Sequence, residues 1–459
     1  MKIHITPSWT PKLSSRNGPI YLAIADAIAA DILNGQLVDG ARLPTQRRLA
    51  EDLDIDFTTV SRAYAEARSR GLIEGKVGRG TYVRAQRRAP PRPQPSGLVD
   101  MSMNLPPRFE NQSLTTSLFD AARQLEDQGL ELLMRYQEPG GIMKDREIGT
   151  SWLSRRLPDI TPDRVLLSAG AQGALLAVLS ILTEPGDLVC TEHLTYPGFR
   201  SVAAHLRLKL IPLEMDEHGL VPEAFEMACR ASKIKALYCV PTLHNPTTRT
   251  IPSSRRRQLV ELARKYDVTI IEDDAYGPLL EGAPPSLAAL APDVVYHVAS
   301  LSKCLSPALR VAYVAVPHNR SLRLAIRSTA SIVSPLAGAT ASRWIETGLA
   351  DNVRDEIVRE SAKRLQVFQA TLSDMAEASL GGFHAWLNIP APWTRGELVS
   401  RLRSVGIGVV ASDAFSLSGT PEAVRVGLGG PASVEELKHS LSVLADLLSQ
   451  QPEFSSTIV

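Results

Sequence analysis

Val268-Thr269-Ile270-Ile271-Glu272-Asp273-Asp274-Ala275-Tyr276 is the stretch that decides the fold. Four β-branched residues, too few for a helix, read as a buried strand, and the acidic triplet stands where that strand meets a loop. The same pattern repeats on both sides. Apolar runs at 165–167, 188–190, 208–211, 236–240, 268–271, 294–298 and 311–316 alternate with helical stretches such as 175–182 and 253–266. Apolar strands alternating with helices predict a mostly parallel α/β sheet covered on both faces. Towards the C-terminus the pattern changes. Long helices at 352–376 and 433–449 flank strands near 383–389, 408–410 and 424–428, which predicts a smaller α+β unit. No internal repeat is evident.

A chain of 459 residues suggests two or three domains. The division expected is 1–84 for a head, 85–99 for a linker and 100–459 for a body, with a large subdomain at about 130–335 and a small one at 336–450. The composition, 44% hydrophobic and 22% charged, is that of a globular protein. No apolar run reaches the ~18 residues of a membrane helix, and the start lacks a signal-peptide core, so a cytoplasmic protein with no membrane partner is expected. Cys190, Cys229, Cys239 and Cys304 show no metal-ligand or redox spacing, so no metal is expected. Net charge is only +1, but residues 42–88 hold eleven Lys and Arg against six Asp and Glu. The basic excess is local to the head.

In the head, Ile20, Ile24, Ile28 and Ile32 recur at helical spacing within 19–33. Pro44-Thr45 supplies a stop and an N-cap for a helix over 46–53. A turn at 54–57 then leads into Thr58-Thr59-Val60-Ser61-Arg62-Ala63-Tyr64, which opens another helix, with Asp56 placed to cap it. Two helices joined by a short turn form a helix-turn-helix, whose second helix offers its N-terminal residues, here Thr58, Thr59, Ser61 and Arg62, to the major groove. Ile73-Glu74-Gly75 and 80–83 read as a two-stranded wing, with Arg79 at its tip between Gly78 and Gly80. Residues 85–99, rich in Pro and Arg, have almost nothing to bury and form a semi-rigid spacer.

The body carries a constellation. Lys303, in Ser300-Leu301-Ser302-Lys303, follows a strand, Asp273 ends another, and Asn245 follows a third. Each is bland alone: a lysine after serine is usually a solvated loop residue, and Asn-Pro is usually a turn. Their order and spacing, 28 residues from Asn245 to Asp273 and 30 from Asp273 to Lys303, change that reading. Ligands of α/β sheets bind at the carboxyl ends of strands. Pyridoxal phosphate (PLP) needs an amine for a Schiff base, an anion at its ring nitrogen, donors to its phenolate oxygen and a cup for its phosphate. Lys303, Asp273, the pair Asn245 and Tyr276, and the set Gly170-Ala171-Gln172, Ser300, Ser302 and Arg310 supply these in turn, with Tyr196 placed to stack on the ring.

From about 130 to 430 this set resembles the fold-type I aminotransferases. The resemblance implies that Arg425 grips a ligand carboxylate and that Tyr136 reaches the phosphate of the neighbouring subunit. The head, through Leu43-Pro44-Thr45-Gln46-Arg47-Arg48-Leu49-Ala50, Thr58-Thr59-Val60 and Gly78-Arg79-Gly80-Thr81-Tyr82-Val83, resembles the winged-helix domain of the GntR family. That implies Arg47, Thr58, Thr59 and Arg79 at the DNA, mostly on phosphates. Asp56-Phe57 departs from the family pattern, since an acidic side chain there would repel phosphate. The whole chain resembles the MocR subgroup of GntR-type regulators. A domain-swapped homodimer on double-stranded DNA with paired half-sites is implied, sensing an amino-acid-like effector or PLP itself. The rival expectation is a working class I/II aminotransferase with an accessory head.

Overall fold

The computed structural model describes residues 9–11, 19–33, 36–37, 40–69, 72–76, 80–83, 98–125, 130–318, 322–372, 376–450 and 452. Two compact units divide the chain, Met1–Gly97 and Leu98–Val459.

In the first unit, helices Ile20–Leu33, Gln46–Leu53 and Phe57–Ser69 precede strands Ile73–Lys76 and Gly80–Val83, which pair antiparallel. Thr45 Oγ1 accepts from the Arg48 amide at 3.3 Å, as an N-cap should. Asp56 Oδ1 accepts from the Thr58 amide at 2.7 Å, so the acidic residue is satisfied as a cap. Ile24 and Ile28 are fully buried with Val60, Ala63 and Tyr64, whereas Ile20 at the helix start is half exposed. Arg79 and most of the spacer lie outside the described residues.

In the second unit, seven strands form one sheet among the described residues. Their order is Val165–Ser168, Ala312–Ala315, Val295–Ser300, Thr269–Asp273, Ile234–Cys239, Leu188–Glu192 and Lys209–Leu213. Only Ala312–Ala315 runs against its neighbours. Alternation along each strand splits the core into two layers. Ile270 and Leu237 pack on one face, Ile271 and Tyr238 on the other. The helix expected at 175–182 starts earlier and spans Gly170–Leu182, because its first turn, Gly170-Ala171-Gln172-Gly173, carries no large apolar side chain to betray it. The helix expected to reach 376 ends at Leu372, and Ala376–Glu377 is an edge strand. It joins His384–Asn388, Ala423–Gly427 and Val410–Ala411 in a four-stranded sheet, with helices Leu349–Leu372, Arg395–Ser404 and Val434–Leu448. Val99–Asp100 pairs in parallel with Ile407–Gly408, so the first residues of this unit pack on its last subdomain. No described helix is long and apolar enough to cross a membrane.

Candidate functional site

A cavity of about 610 Å³ opens at the carboxyl ends of the parallel strands. Ala171, Gln172, Tyr196, Asn245, Asp273, Tyr276, Ser300, Ser302, Lys303, Arg310 and Arg425 all line it. Topology explains the convergence. Asp273 and Ser300 end adjacent parallel strands. Arg310 precedes the one reversed strand, so it begins where the others finish. Gly170, with φ +74°, opens a helix that has no side-chain cap, which leaves its first N–H groups free for an anion. A Cβ at Gly170 would lie 3.2 Å from the Arg310 guanidinium, so glycine lets the backbone approach that cation.

Asp273 is buried, with Tyr238 Oη donating to its Oδ2 at 2.9 Å and its Oδ1 without a partner. Burial pushes its pKa up to about 6 against the pull of that hydrogen bond. Glu272 and Asp274 point to the opposite layer. There Arg156 meets Asp274 at 2.8 Å, and His297 Nδ1 meets Glu272 at 2.8 Å. Burial opposes ionisation of Asp274, yet Arg156 and His297 hold its carboxyl below the usual range. Lys303 has its pKa lowered to about 8 by burial and by the nearby Arg425. Its amine donates to the Asn104 carbonyl. Arg425 is buried rather than a surface ion-pair residue, and its Nη1 donates to Asn245 Oδ1 at 2.8 Å. That contact turns the Asn245 amide nitrogen, the donor end, away from the arginine.

These groups fit PLP. The unpartnered oxygen of Asp273 suits a protonated ring nitrogen, since a buried carboxylate is costly without a cation. Asn245 and Tyr276 have side chains able to donate, and Ser300, Ser302 and Arg310 line the cavity, with the Arg310 guanidinium beside Gly170, a set that could hold a phosphate. Tyr136 lies outside this cavity and is fully exposed. Residues 102–105 also line the pocket, and nothing in the candidate chemistry singled them out. Asn104 Nδ2 donates to Tyr276 Oη at 2.8 Å.

In the head, Arg47, Thr58 and Arg62 are exposed, while Thr59 and Ser61 are half-buried. The Arg62 guanidinium stacks 4.3 Å over the Tyr21 ring, and Arg48 pairs with Asp52 at 2.9 Å.

Residues 96–443 match the family model of class I and II aminotransferases, and residues 20–83 match that of the gntR family of bacterial regulatory proteins. The chain is 32% identical over 450 residues to the HTH-type transcriptional regulator YdeF of Bacillus subtilis, covering 96% of this chain and 97% of that one. It is 26% identical to the HTH-type pyridoxine biosynthesis transcriptional regulator PdxR of Corynebacterium glutamicum, covering 93% and 95%. Among solved structures, a kynurenine aminotransferase of Pyrococcus horikoshii superposes with a TM-score of 0.71 at 22% identity, over 77% of this chain and 91% of that one, which speaks for the fold alone. With a gntR-type head and a class I and II aminotransferase body in one chain, and regulators of the same two-part build as relatives, the protein belongs to the MocR-type group of the GntR family.

Proposed function

We propose that this protein is a PLP-dependent transcription regulator whose body holds the cofactor on Lys303 and senses PLP or an amino ligand. The observation that carries this reading is the union, in one chain, of a helix-turn-helix head with a cavity where Lys303, Asp273, Asn245 and Arg310 converge. Bound there, PLP supplies an aldehyde that a primary amine can capture and a ring that withdraws electrons. The chain's own part is to hold: Lys303 by its amine, Asp273 at the ring nitrogen, Asn245 and Tyr276 at the phenolate oxygen, Tyr196 against the ring. The phosphate falls to Gly170, Ala171, Gln172, Ser300, Ser302 and Arg310, and a ligand carboxylate to Arg425. Tyr136, fully exposed in its own subunit, is free to serve the phosphate of a neighbour. On this reading the protein is a cytoplasmic homodimer with swapped heads. It sets Arg47, Thr58, Thr59, Ser61, Arg62 and Arg79 on paired half-sites of double-stranded DNA.

A second reading, a working aminotransferase, is favoured by the completeness of the same set. An amine lowered to about pKa 8 can also shuttle protons. Purified protein should show the visible absorbance of lysine-bound PLP, and Lys303→Ala should lose it; a colourless wild type sinks the cofactor claim. Footprinting upstream of the protein's own gene, with and without PLP and amino acids, tests regulation. Unprotected DNA together with turnover at ~1 s⁻¹ or faster would instead establish the enzyme.

A further inference from the structure

Two cations of the pocket end on the same short segment. The Lys303 amine donates to the carbonyl of Asn104, and Arg425 Nη2 donates to the carbonyl of Ser102 at 2.6 Å. Asn104 Nδ2 reaches Tyr276 Oη at 2.8 Å, while its buried Oδ1 has no partner. The other side of this segment is clasped by backbone. The Gly427 amide donates to the Met101 carbonyl at 2.7 Å, and a Cβ on Gly429 would fall 1.9 Å from the Leu105 carbonyl oxygen. Residues 101–105 therefore lie between the tip of Arg425 and the chain that directly follows its strand.

A guanidinium offers a carboxylate two parallel N–H bonds from one edge, and the Nε–Nη2 side is such an edge. On Arg425 the Nε is buried without a partner, Nη2 is on Ser102, and Nη1 on the opposite side is on Asn245. A carboxylate taking the Nε–Nη2 edge has to displace one group only, the Ser102 carbonyl. The exchange is favourable, since a carboxylate brings an opposite charge and two acceptor oxygens to the guanidinium, where the carbonyl brings one neutral acceptor.

We propose that the Ser102 carbonyl occupies the place of a ligand carboxylate on Arg425, so that an amino acid, but not the corresponding amine, releases residues 101–105 when it binds. This deepens the PLP reading above and rests on it. The released segment leads in sequence into residues 84–97, which join the body to the head. Carboxylate recognition thereby acts on the part of the body where the linker begins. The ligand class that regulates is the amino acids, and an amine of equal size fills the pocket without effect.

Hydrogen–deuterium exchange on the full chain tests this with two stable adducts, phosphopyridoxyl-L-leucine and phosphopyridoxyl-isoamylamine, which differ only in the carboxylate. The reporters are the amides of Ser102 and Met103, held on Asp100 Oδ1, and of Leu105, held on the Met103 carbonyl. With the leucine adduct they should exchange roughly ten- to a hundredfold faster than with the isoamylamine adduct, the worth of one hydrogen bond to a charged group. In Arg425→Ala they should exchange fast with no adduct present. Equal exchange with both adducts bound overturns the proposal alone, as does slow exchange in Arg425→Ala. Failure of both adducts to bind overturns the PLP reading and this proposal with it.

Discussion

At the residue scale the sharpest electrostatic question is how Asp273 stays ionised. Burial raises its carboxyl, and the Tyr238 hydroxyl is the hydrogen bond that opposes this. Tyr238 remains a donor, because its own pKa is pushed well above the ordinary value by burial. Its ring stacks on Phe199 with centroids 3.8 Å apart, so Tyr238→Phe keeps the packing and removes only the hydroxyl. A hydrogen bond to a charged group contributes about 1.5–3 kcal/mol, so Asp273 should titrate roughly one to two units higher in the variant. The sign follows: the raised carboxyl loses its charge as pH falls through its pKa, and with it the hold on a protonated ring. PLP retention on dialysis, followed by visible absorbance, should fail nearer neutrality in Tyr238→Phe than in wild type. Superposable retention curves would show that Tyr238 does not tune Asp273. Lys303, Asp273 and Asn245 could be singled out in the sequence because their side-chain types suit the cofactor's chemistry, and Arg425 by family resemblance; the fold brings all four to one cavity. Tyr238 was not, since a tyrosine inside the strand Ile234–Cys239 reads as core until its hydroxyl is seen on a carboxylate.

Among the elements, those with periodic apolar residues were legible, and the ones built from backbone were not. Strand Thr269–Asp273 and helix Gln46–Leu53 fall where β-branched runs and capping residues indicated. Residues 101–105 carry no such signature, because they meet Lys303 and Arg425 through carbonyl oxygens, which every residue has. One sign was available: Gly427, Gly429 and Gly430, close behind Arg425, mark a surface where another backbone comes near. Gly430 makes the point quantitatively. A Cβ there would lie 1.9 Å from the Asp100 carbonyl oxygen, backbone against backbone, with no flexible side chain to yield. Gly430→Ala should therefore push Val99–Asp100 off Ile407–Gly408 and cost about 1–3 kcal/mol, the usual penalty of overpacking. Thermal unfolding of the body measures this. A midpoint equal to that of wild type would mean the approach is looser than these positions imply.

For the whole molecule, the two units should be separable by charge and by spectrum, and Arg47 is where to separate them. Net charge is close to zero, so any DNA affinity must come from the locally basic head rather than from the field of the entire chain. Within that head Arg47 and Arg48 are adjacent and both exposed, but Arg48 is already paired with Asp52 while no ion pair holds Arg47 among the described residues. Neutralising a phosphate releases counterions, so each lost phosphate contact flattens the dependence of log affinity on log salt by about 0.9. With one contact per head, Arg47→Ala in the proposed dimer should weaken DNA binding and reduce the slope by about two, and visible PLP absorbance should not change. Arg48→Ala should alter the slope less, since its charge is largely cancelled in place. Fluorescence anisotropy on operator DNA across a salt series, read beside the absorbance spectrum, checks both arms. If Arg47→Ala leaves the slope intact, or bleaches the cofactor, then the assignment of phosphate binding to the first turn of Gln46–Leu53 fails.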